Sequence, residues 1–151
     1  MNHMPSDEMI PVFVSTKLKL HPRGYMIVSL PVSEKEKPLE LFKPLDSFSS
    51  ITVDIDEVSL ILGVDDWETI KSNFPEYLVE GPYRVITFDI VLDLNLVGYL
   101  SIVSAVLADE GVSIYAISTY LKDHILVKAE DSDKAMRVLG ELIQRCNVTI
   151  K

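Results

Sequence analysis

The order of secondary-structure elements in the second half of the chain most constrains its fold. Residues 83–92 alternate apolar and polar side chains as a strand does, and residues 97–110 repeat apolar positions at helical spacing. Two further strands, over 112–121 and 124–129, precede a helix that opens at Asp131. The order β-α-β-β-α is that of a split-βαβ, ferredoxin-like fold with an antiparallel sheet.

The first half of the chain repeats this order in a shorter form. Residues 51–65 align with residues 117–131 without a gap, while Pro38 and Pro44 leave room for only a short first helix. Residues 148–150 can supply a closing strand to the second copy. The elements predicted in the first copy are strands at 17–20, 25–30, 49–55 and 58–63, and helices at 39–42 and 67–74. The fold class is therefore α+β, with two ferredoxin-like lobes of which the first is truncated.

Turn residues and prolines suggest where the lobes begin and end. Pro5 and Pro11 favour an irregular N-terminal tail, and the Gly81-Pro82 pair is typical of a turn or linker between the two copies. The predicted boundaries are a tail at 1–15, a first lobe at 16–75, a linker at 76–82 and a second lobe at 83–151.

The charge balance argues against several classes of partner. The chain of 151 residues carries 14 Lys and Arg against 23 Asp and Glu, a net charge of −9. Such a chain is repelled by nucleic acids and by anionic membrane surfaces. No apolar run is long enough to span a bilayer, and residues 1–8 do not resemble a signal peptide. The single cysteine, Cys146, excludes an internal disulfide, so we expect a cytoplasmic protein.

The sequence contains no motif of a known catalytic class. There is no phosphate-binding loop, no dinucleotide fingerprint, and no zinc-protease or serine-hydrolase signature. The histidines His3, His21 and His124 are not spaced to share a metal. We therefore predict no catalytic residue, no metal site and no cofactor, the alternative being an enzyme that uses the cleft between the lobes.

The loop from Asp93 to Gly98 leads into a predicted helix. The free N–H groups at a helix N-terminus favour an anion such as an α-carboxylate, and Gly98 lets a ligand approach the backbone closely. The alternative is that Asn95 or Asp93 only caps the helix.

The turn from Ser118 to Asp123 is the second candidate. Ser118 and Thr119 offer hydroxyl groups and strand-end carbonyls to an ammonium group, Asp123 offers a carboxylate, and Tyr120 can wall a pocket. The alternative is an ordinary solvated hairpin turn.

Three segments carry a resemblance to a known family. Residues 93–98 (DLNLVG), 111–120 (GVSIYAISTY) and 123–127 (DHILV) resemble the ACT domain, and more closely the tandem ACT-like proteins related to amino-acid sensors and aspartokinase regulatory domains. The resemblance implies antiparallel sheets with helices on one face, amino-acid binding at lobe interfaces, and dimers. This chain has Val97-Gly98 where many ACT domains have Pro-Gly.

Together, the residues and the resemblance predict a sensor or allosteric module. Its ligand would be an amino acid or a similar zwitterion lying between the lobes, and the chain would form a homodimer, with a further protein partner possible. The alternative is a ligand-free structural or protein-interaction module. The expected ligand-binding residues are Asp93, Asn95, Leu96, Val97, Gly98, Ser118, Thr119, Tyr120 and Asp123.

Overall fold

The computed structural model describes residues 3–43 and 48–150, and the chain divides into two compact units. The first, here called the split unit, combines Met1–His21 with Arg84–Lys151. The second, the inserted unit, is Pro22–Tyr83.

Within the described residues the chain forms seven strands and five α-helices. The strands are β1 (Lys17–Leu20), β2 (Tyr25–Leu30), β3 (Ser50–Val53), β4 (Val58–Gly63), β5 (Leu78–Asp89), β6 (Tyr115–Ser118) and β7 (Asp123–Lys128). The helices are α1 (Ile10–Val14), α2 (Lys37–Leu41), α3 (Val64–Ile70), α4 (Tyr99–Asp109) and α5 (Ser132–Thr149). Short 3₁₀ turns lie at Val32–Glu34, Lys71–Asn73 and Ala129–Asp131.

The split unit has the strand order β1-β5-β7-β6, to which β5 contributes its second half. β1 is antiparallel to β5, with Lys17 opposite Asp89, and β6 is antiparallel to β7, with Tyr115 opposite Leu126. The helices α4 and α5 occupy the two helix positions of the βαββα order. β1, from the start of the chain, thus takes the edge position that a closing strand would fill.

The predicted closing strand at residues 148–150 is therefore wrong. Helix α5 continues to Thr149, where the Thr149 hydroxyl donates to the Arg145 carbonyl at 2.9 Å. Two residues earlier, the Asn147 side-chain amide donates to the Ile143 carbonyl at 3.1 Å. The β-branched run at the end of the chain favours a strand, but β1 already occupies the edge that this strand would join.

The inserted unit has the strand order β3-β4-β2-β5, to which β5 contributes its first half. Its elements follow the chain order β-α-β-β-α-β, and its paired strands are antiparallel. The first helix is short, as predicted: α2 has only five residues and contains Pro38, while Pro44 lies outside the described residues. The predicted fold class, two ferredoxin-like lobes with antiparallel sheets and a truncated first lobe, is confirmed.

The unit boundaries differ from those predicted from the sequence. Residues 1–21 belong with the C-terminal unit, where the sequence predicts a tail and the start of the first lobe. The segment 76–82 is not a linker from Leu78 onwards, because β5 begins there and pairs with β2. A Cβ on Gly81 would lie 2.8 Å from the Tyr25 carbonyl oxygen. The Gly-Pro pair thus marks a close strand approach rather than a turn.

The predicted tail contains helix α1, whose apolar face is part of the core of the split unit. Met9, Ile10 and Phe13 are at most 5% exposed, and they share one cluster with side chains of α4, α5, β5 and β7. Pro11 occupies the first turn of α1, where its missing N–H costs no hydrogen bond. The early prolines therefore permit a short helix at a position where they suggested a tail.

Truncating Phe13 tests whether α1 is part of the core. Phe13 is 1% exposed and stacks on Tyr99 at a centroid distance of 4.5 Å. Phe13→Ala should lower the free energy of unfolding by about 3–5 kcal/mol, measured by urea denaturation. Ile55→Ala, at a side chain that is 88% exposed, is the control and should change it by less than about 0.5 kcal/mol. Equal effects of the two variants would contradict this packing.

Candidate functional site: a cleft at the start of α4

Helix α4 begins at a glycine with left-handed backbone geometry. Gly98 has φ of 98° and ψ of 2°, a conformation that L side chains rarely adopt. Tyr99, Leu100 and Ser101 form the first helical turn, whose N–H groups have no partners within the helix. Because Gly98 has no side chain that could cap them, these groups are available to an anion.

The loop before α4 is held by its own hydrogen bonds. Asp93 Oδ1 accepts the Asn95 backbone N–H at 2.7 Å, and the Asp93 carbonyl accepts the Leu96 N–H at 3.0 Å. Asp93 and Asn95 therefore shape the loop and do not cap the helix. The capping alternative considered from the sequence is thus not what the structure has.

The β6–β7 turn faces this loop. The Ser118 hydroxyl donates to Asp123 Oδ1 at 2.7 Å, and the Thr119 N–H and hydroxyl both donate to the Lys122 carbonyl, at 2.9 and 3.1 Å. The Leu92 N–H donates to the Leu121 carbonyl at 2.8 Å. This last bond links the end of β5 to the turn and fixes the distance between the two walls.

The loop, the first turn of α4 and the hairpin turn enclose a cleft of about 340 Å³. Of the predicted residues, Asn95 and Val97 do not line it, and the Val97 side chain is 86% exposed. The cleft lining consists of Leu92, Asp93, Leu94, Leu96, Gly98, Tyr99, Leu100, Ser101, Ser118, Thr119, Tyr120, Leu121, Lys122 and Asp123. All of these residues lie in the split unit, whereas the sequence predicts a ligand between the two lobes.

The charges around the cleft are unequal. Lys122 Nζ lies 2.6 Å from Asp89 Oδ1, and this ammonium group holds the pKa of Asp89 below its ordinary value. The Lys122 charge is thereby balanced by a carboxylate that is not among the lining residues. The carboxylates of Asp93, in the loop before α4, and of Asp123, in the hairpin turn, remain, so the cleft carries an excess of negative charge.

Tyr99 is a lining residue that sequence reasoning missed. Its ring stacks on Phe13 and meets Phe88 edge-on at 5.7 Å, and its hydroxyl lies 2.8 Å from Thr16 Oγ1. Burial raises the pKa of the Tyr99 hydroxyl far above its ordinary value, so the group stays neutral. The available signal was its place directly after Gly98, but the packing partners come from the segment read as a tail.

A buried histidine lies behind the hairpin turn. His124 is 8% exposed, although its place at a strand start suggested a partly exposed side chain. Its Nδ1 lies 2.8 Å from Thr87 Oγ1, which lies 2.8 Å from His21 Nε2, and its Nε2 lies 3.3 Å from Thr119 Oγ1. Burial lowers the pKa of both imidazoles below the ordinary value.

The inserted unit has a cleft at the corresponding place, between the end of β2 and the β3–β4 turn. Its volume is about 320 Å³. The segment after β2 is only a three-residue 3₁₀ turn that follows Pro31. The lining of this second cleft consists of Ser29, Leu30, Pro31, Asp56, Glu57, Glu76, Tyr77 and Leu78. This cleft therefore has carboxylates but no α-helix N-terminus.

Other features of the described residues bear on the class of protein. Across residues 3–43 and 48–150, no helix combines the length and apolarity that a membrane crossing needs. Within the same ranges, no three His, Cys, Asp or Glu side chains are grouped as a metal site would require. Cys146 is buried, and burial raises the pKa of its thiol.

Comparison with known proteins confirms the family resemblance. A family model described as the ACT domain matches residues 78–141. This segment is similar to the ACT domain. It contains most of the cleft, from the loop after β5 to the β6–β7 turn. A comparison with curated protein sequences gave no match.

Solved structures share the fold across both units. A protein of unknown function from Vibrio cholerae is 20% identical, with a TM-score of 0.70, over 90% of this chain and 96% of that one. A protein from Agrobacterium tumefaciens is 26% identical, with a TM-score of 0.68, over 84% of this chain and 88% of that one. The regulatory subunit of aspartate kinase from Thermus thermophilus, in a ligand-free form, is 10% identical, with a TM-score of 0.60, over 85% and 97%. At 10% identity, this likeness shows a shared fold.

Replacing Gly98 tests its backbone role. A Cβ there would touch only Met9 Cε at 3.9 Å, so the strain comes from φ and not from crowding. Gly98→Ala should lower the free energy of unfolding by about 1–3 kcal/mol in urea denaturation. Gly140→Ala, in the middle of α5 where a Cβ meets open space, should raise it by up to about 1 kcal/mol. The same sign for both variants would contradict this assignment.

Proposed function

We propose that the chain is a non-catalytic regulatory module that binds an amino acid, or a similar small zwitterion, in the cleft at the start of α4. The observation that carries this proposal is the pairing, across one cleft, of an uncapped helix N-terminus with the Asp123 carboxylate on the facing hairpin turn. The ends of a zwitterion need such a separation of charge.

The ligand carboxylate belongs at the first turn of α4. The N–H groups of Tyr99, Leu100 and Ser101 point out of the helix end, where the helix dipole also favours an anion. Gly98 adds no side chain between this end and the cleft. The fixed ring of Tyr99 keeps this end of the helix in place.

The ligand ammonium group belongs at the hairpin side. Asp123 accepts the Ser118 hydroxyl through Oδ1. Among the described residues its second oxygen has no hydrogen-bond partner, so it can accept one from an ammonium group. Asp93 adds a second carboxylate, which favours ligands with a cationic side chain over neutral ones. A cleft of about 340 Å³ is at the small end of the range for ligand sites.

We expect one such site per chain. The cleft of the inserted unit is lined by the carboxylates of Asp56, Glu57 and Glu76, and it lacks a helix that could hold the ligand carboxylate. Its charge is therefore one-sided, which does not suit a zwitterion.

A ligand-free interaction module is the second candidate. Five large apolar side chains around the mouth of the cleft are each at least 50% exposed: Val91, Leu94, Val97, Tyr120 and Leu121. An apolar group of this kind is typical of a protein contact surface. It supports either this alternative or a dimer in which the same surface is covered.

Binding calorimetry with arginine, lysine and a panel of neutral amino acids tests the proposal. Wild type should bind at least one member, and Asp123→Asn should weaken every amino acid that binds by about 2–3 kcal/mol, because the charged hydrogen bond to the α-ammonium group is lost.

Asp56→Asn, in the turn of the equivalent hairpin of the inserted unit, is the matched control and should bind as wild type does. If wild type binds nothing in the panel, or if Asp56→Asn is as harmful as Asp123→Asn, the proposed site is wrong. The interaction-module alternative would then stand.

Light scattering tests the expected homodimer. At micromolar concentration wild type should have twice the chain mass of 17.0 kDa. Val97→Asp places a charge in the apolar group and should shift the mass towards the monomer. Ile55→Asp, at an equally exposed apolar residue in the inserted unit, should leave it unchanged. A monomeric wild type would contradict the prediction.

A further inference from the structure

A line of four polar side chains leads from the end of β1 to the wall of the cleft. It runs from His21 through Thr87 and His124 to Thr119, with successive distances of 2.8, 2.8 and 3.3 Å. Thr87 is 5% exposed and His124 is 8% exposed. Thr119 lines the cleft and forms the β6–β7 turn with Lys122.

The direction of every hydrogen bond in this line follows from one carbonyl. The Thr119 hydroxyl donates its single proton to the Lys122 carbonyl, which also accepts the Thr119 N–H. His124 Nε2 must then be the donor to Thr119 Oγ1. In a neutral imidazole Nδ1 is then bare, so the Thr87 hydroxyl donates to it, and Thr87 Oγ1 accepts from His21 Nε2.

A second proton on His124 breaks this order. It places an N–H on Nδ1 opposite the Thr87 hydroxyl, which must then turn its own proton away from His124 and has an acceptor only if His21 Nε2 gives up its proton. A second proton on His21 would sit on Nδ1 and leave its Nε2–H bonded to Thr87. The line therefore responds to protonation of His124 much more than to that of His21.

The charged neighbours of His124 shift its pKa in both directions. His21, which directly follows β1, and Lys122 both lower the pKa of His124, and Asp123 raises it. The β6 residue that pairs with His124 is the apolar Ile117. Lys19 on β1 lowers the pKa of His21. Burial is the largest influence on both rings, so both favour the neutral form.

We propose that His124, held by Thr87 in the neutral form with the proton on Nε2, is a positioning residue for the turn from Thr119 to Lys122, and that ligand binding in the cleft weakens when His124 is protonated. This rests on the proposed function, because Thr119 and Lys122 line the same cleft. The cleft then becomes sensitive to acidity through a residue that does not line it.

The first test needs no ligand. Nitrogen-15 NMR of the histidine rings at about pH 7.5 should show His124 protonated on Nε2 and bare on Nδ1. On lowering the pH to about 5, the backbone amide signals of residues 119–122 should shift in wild type. The same amide signals should not shift in the His124→Gln variant, because the glutamine amide can keep a donor near Thr119 but does not titrate. A proton on Nδ1 at neutral pH, or unchanged turn signals in wild type, overturns the proposal.

The second test is calorimetry with arginine as the probe. Wild-type affinity should fall by about fivefold to tenfold between about pH 7.5 and pH 5, the equivalent of one lost hydrogen bond. His124→Gln should lose less than about twofold over the same range. Thr87→Val, which keeps the side-chain shape but removes the hydroxyl, should bind arginine more weakly than wild type at both pH values.

His3→Gln, at a histidine outside the line, is the control and should retain the wild-type pH profile. A full loss of affinity at low pH in His124→Gln overturns the proposal. If wild type does not bind arginine at neutral pH, the proposed function fails for that ligand. The NMR test alone then decides the role of His124, so the two failures are distinguishable.

Discussion

The antiparallel pairing of β1 with the second half of β5 is the interaction on which the split unit depends. With Lys17 opposite Asp89 and Leu20 opposite Ile86, this pairing joins the first residues of the chain to the segment that is similar to the ACT domain. It fills the sheet edge that would otherwise need a closing strand, and α5 is therefore free to continue as a helix to Thr149. It also brings α1 into the core.

The same pairing supports the cleft from behind. Because α1 precedes β1 directly, Phe13 and Thr16 reach Tyr99, the first residue of α4. Tyr99 in turn fixes the helix end whose N–H groups face the cleft. The N-terminal segment thus supports one wall of the cleft although it is remote from the cleft in sequence, and truncating it should lower the stability of the split unit.

Local patterns in the sequence were sufficient to predict most of the secondary-structure elements. Apolar runs bounded by turn residues predicted β2 and β4 to the residue, and the helix predicted over 97–110 is α4, which begins two residues later, after Gly98. The loop and the turn of the cleft were both predicted, because loops at strand ends carry polar residues in a recognisable order. Seven of the nine predicted site residues line the cleft, while Asn95 and Val97 do not.

Interactions between distant segments were not predictable in this way. Nothing near Pro11 indicates that Phe13 will stack on Tyr99, and nothing near Gly81 distinguishes a close strand approach from a linker. His124 looked like a surface residue because its partner Thr87 lies on another strand. In each case the decisive neighbour is set by the sheet, which a single sequence shows only indirectly.

The split arrangement also sets an order of events during synthesis. The inserted unit has all of its residues once Tyr83 has left the ribosome, and β2, β3, β4 and the first half of β5 can then pair with one another. β1 and α1 emerge first but must wait for β5, α4 and α5 before they are covered. The earliest part of the chain is thus among the last to be protected, and its apolar residues are exposed to chaperones and proteases throughout that interval.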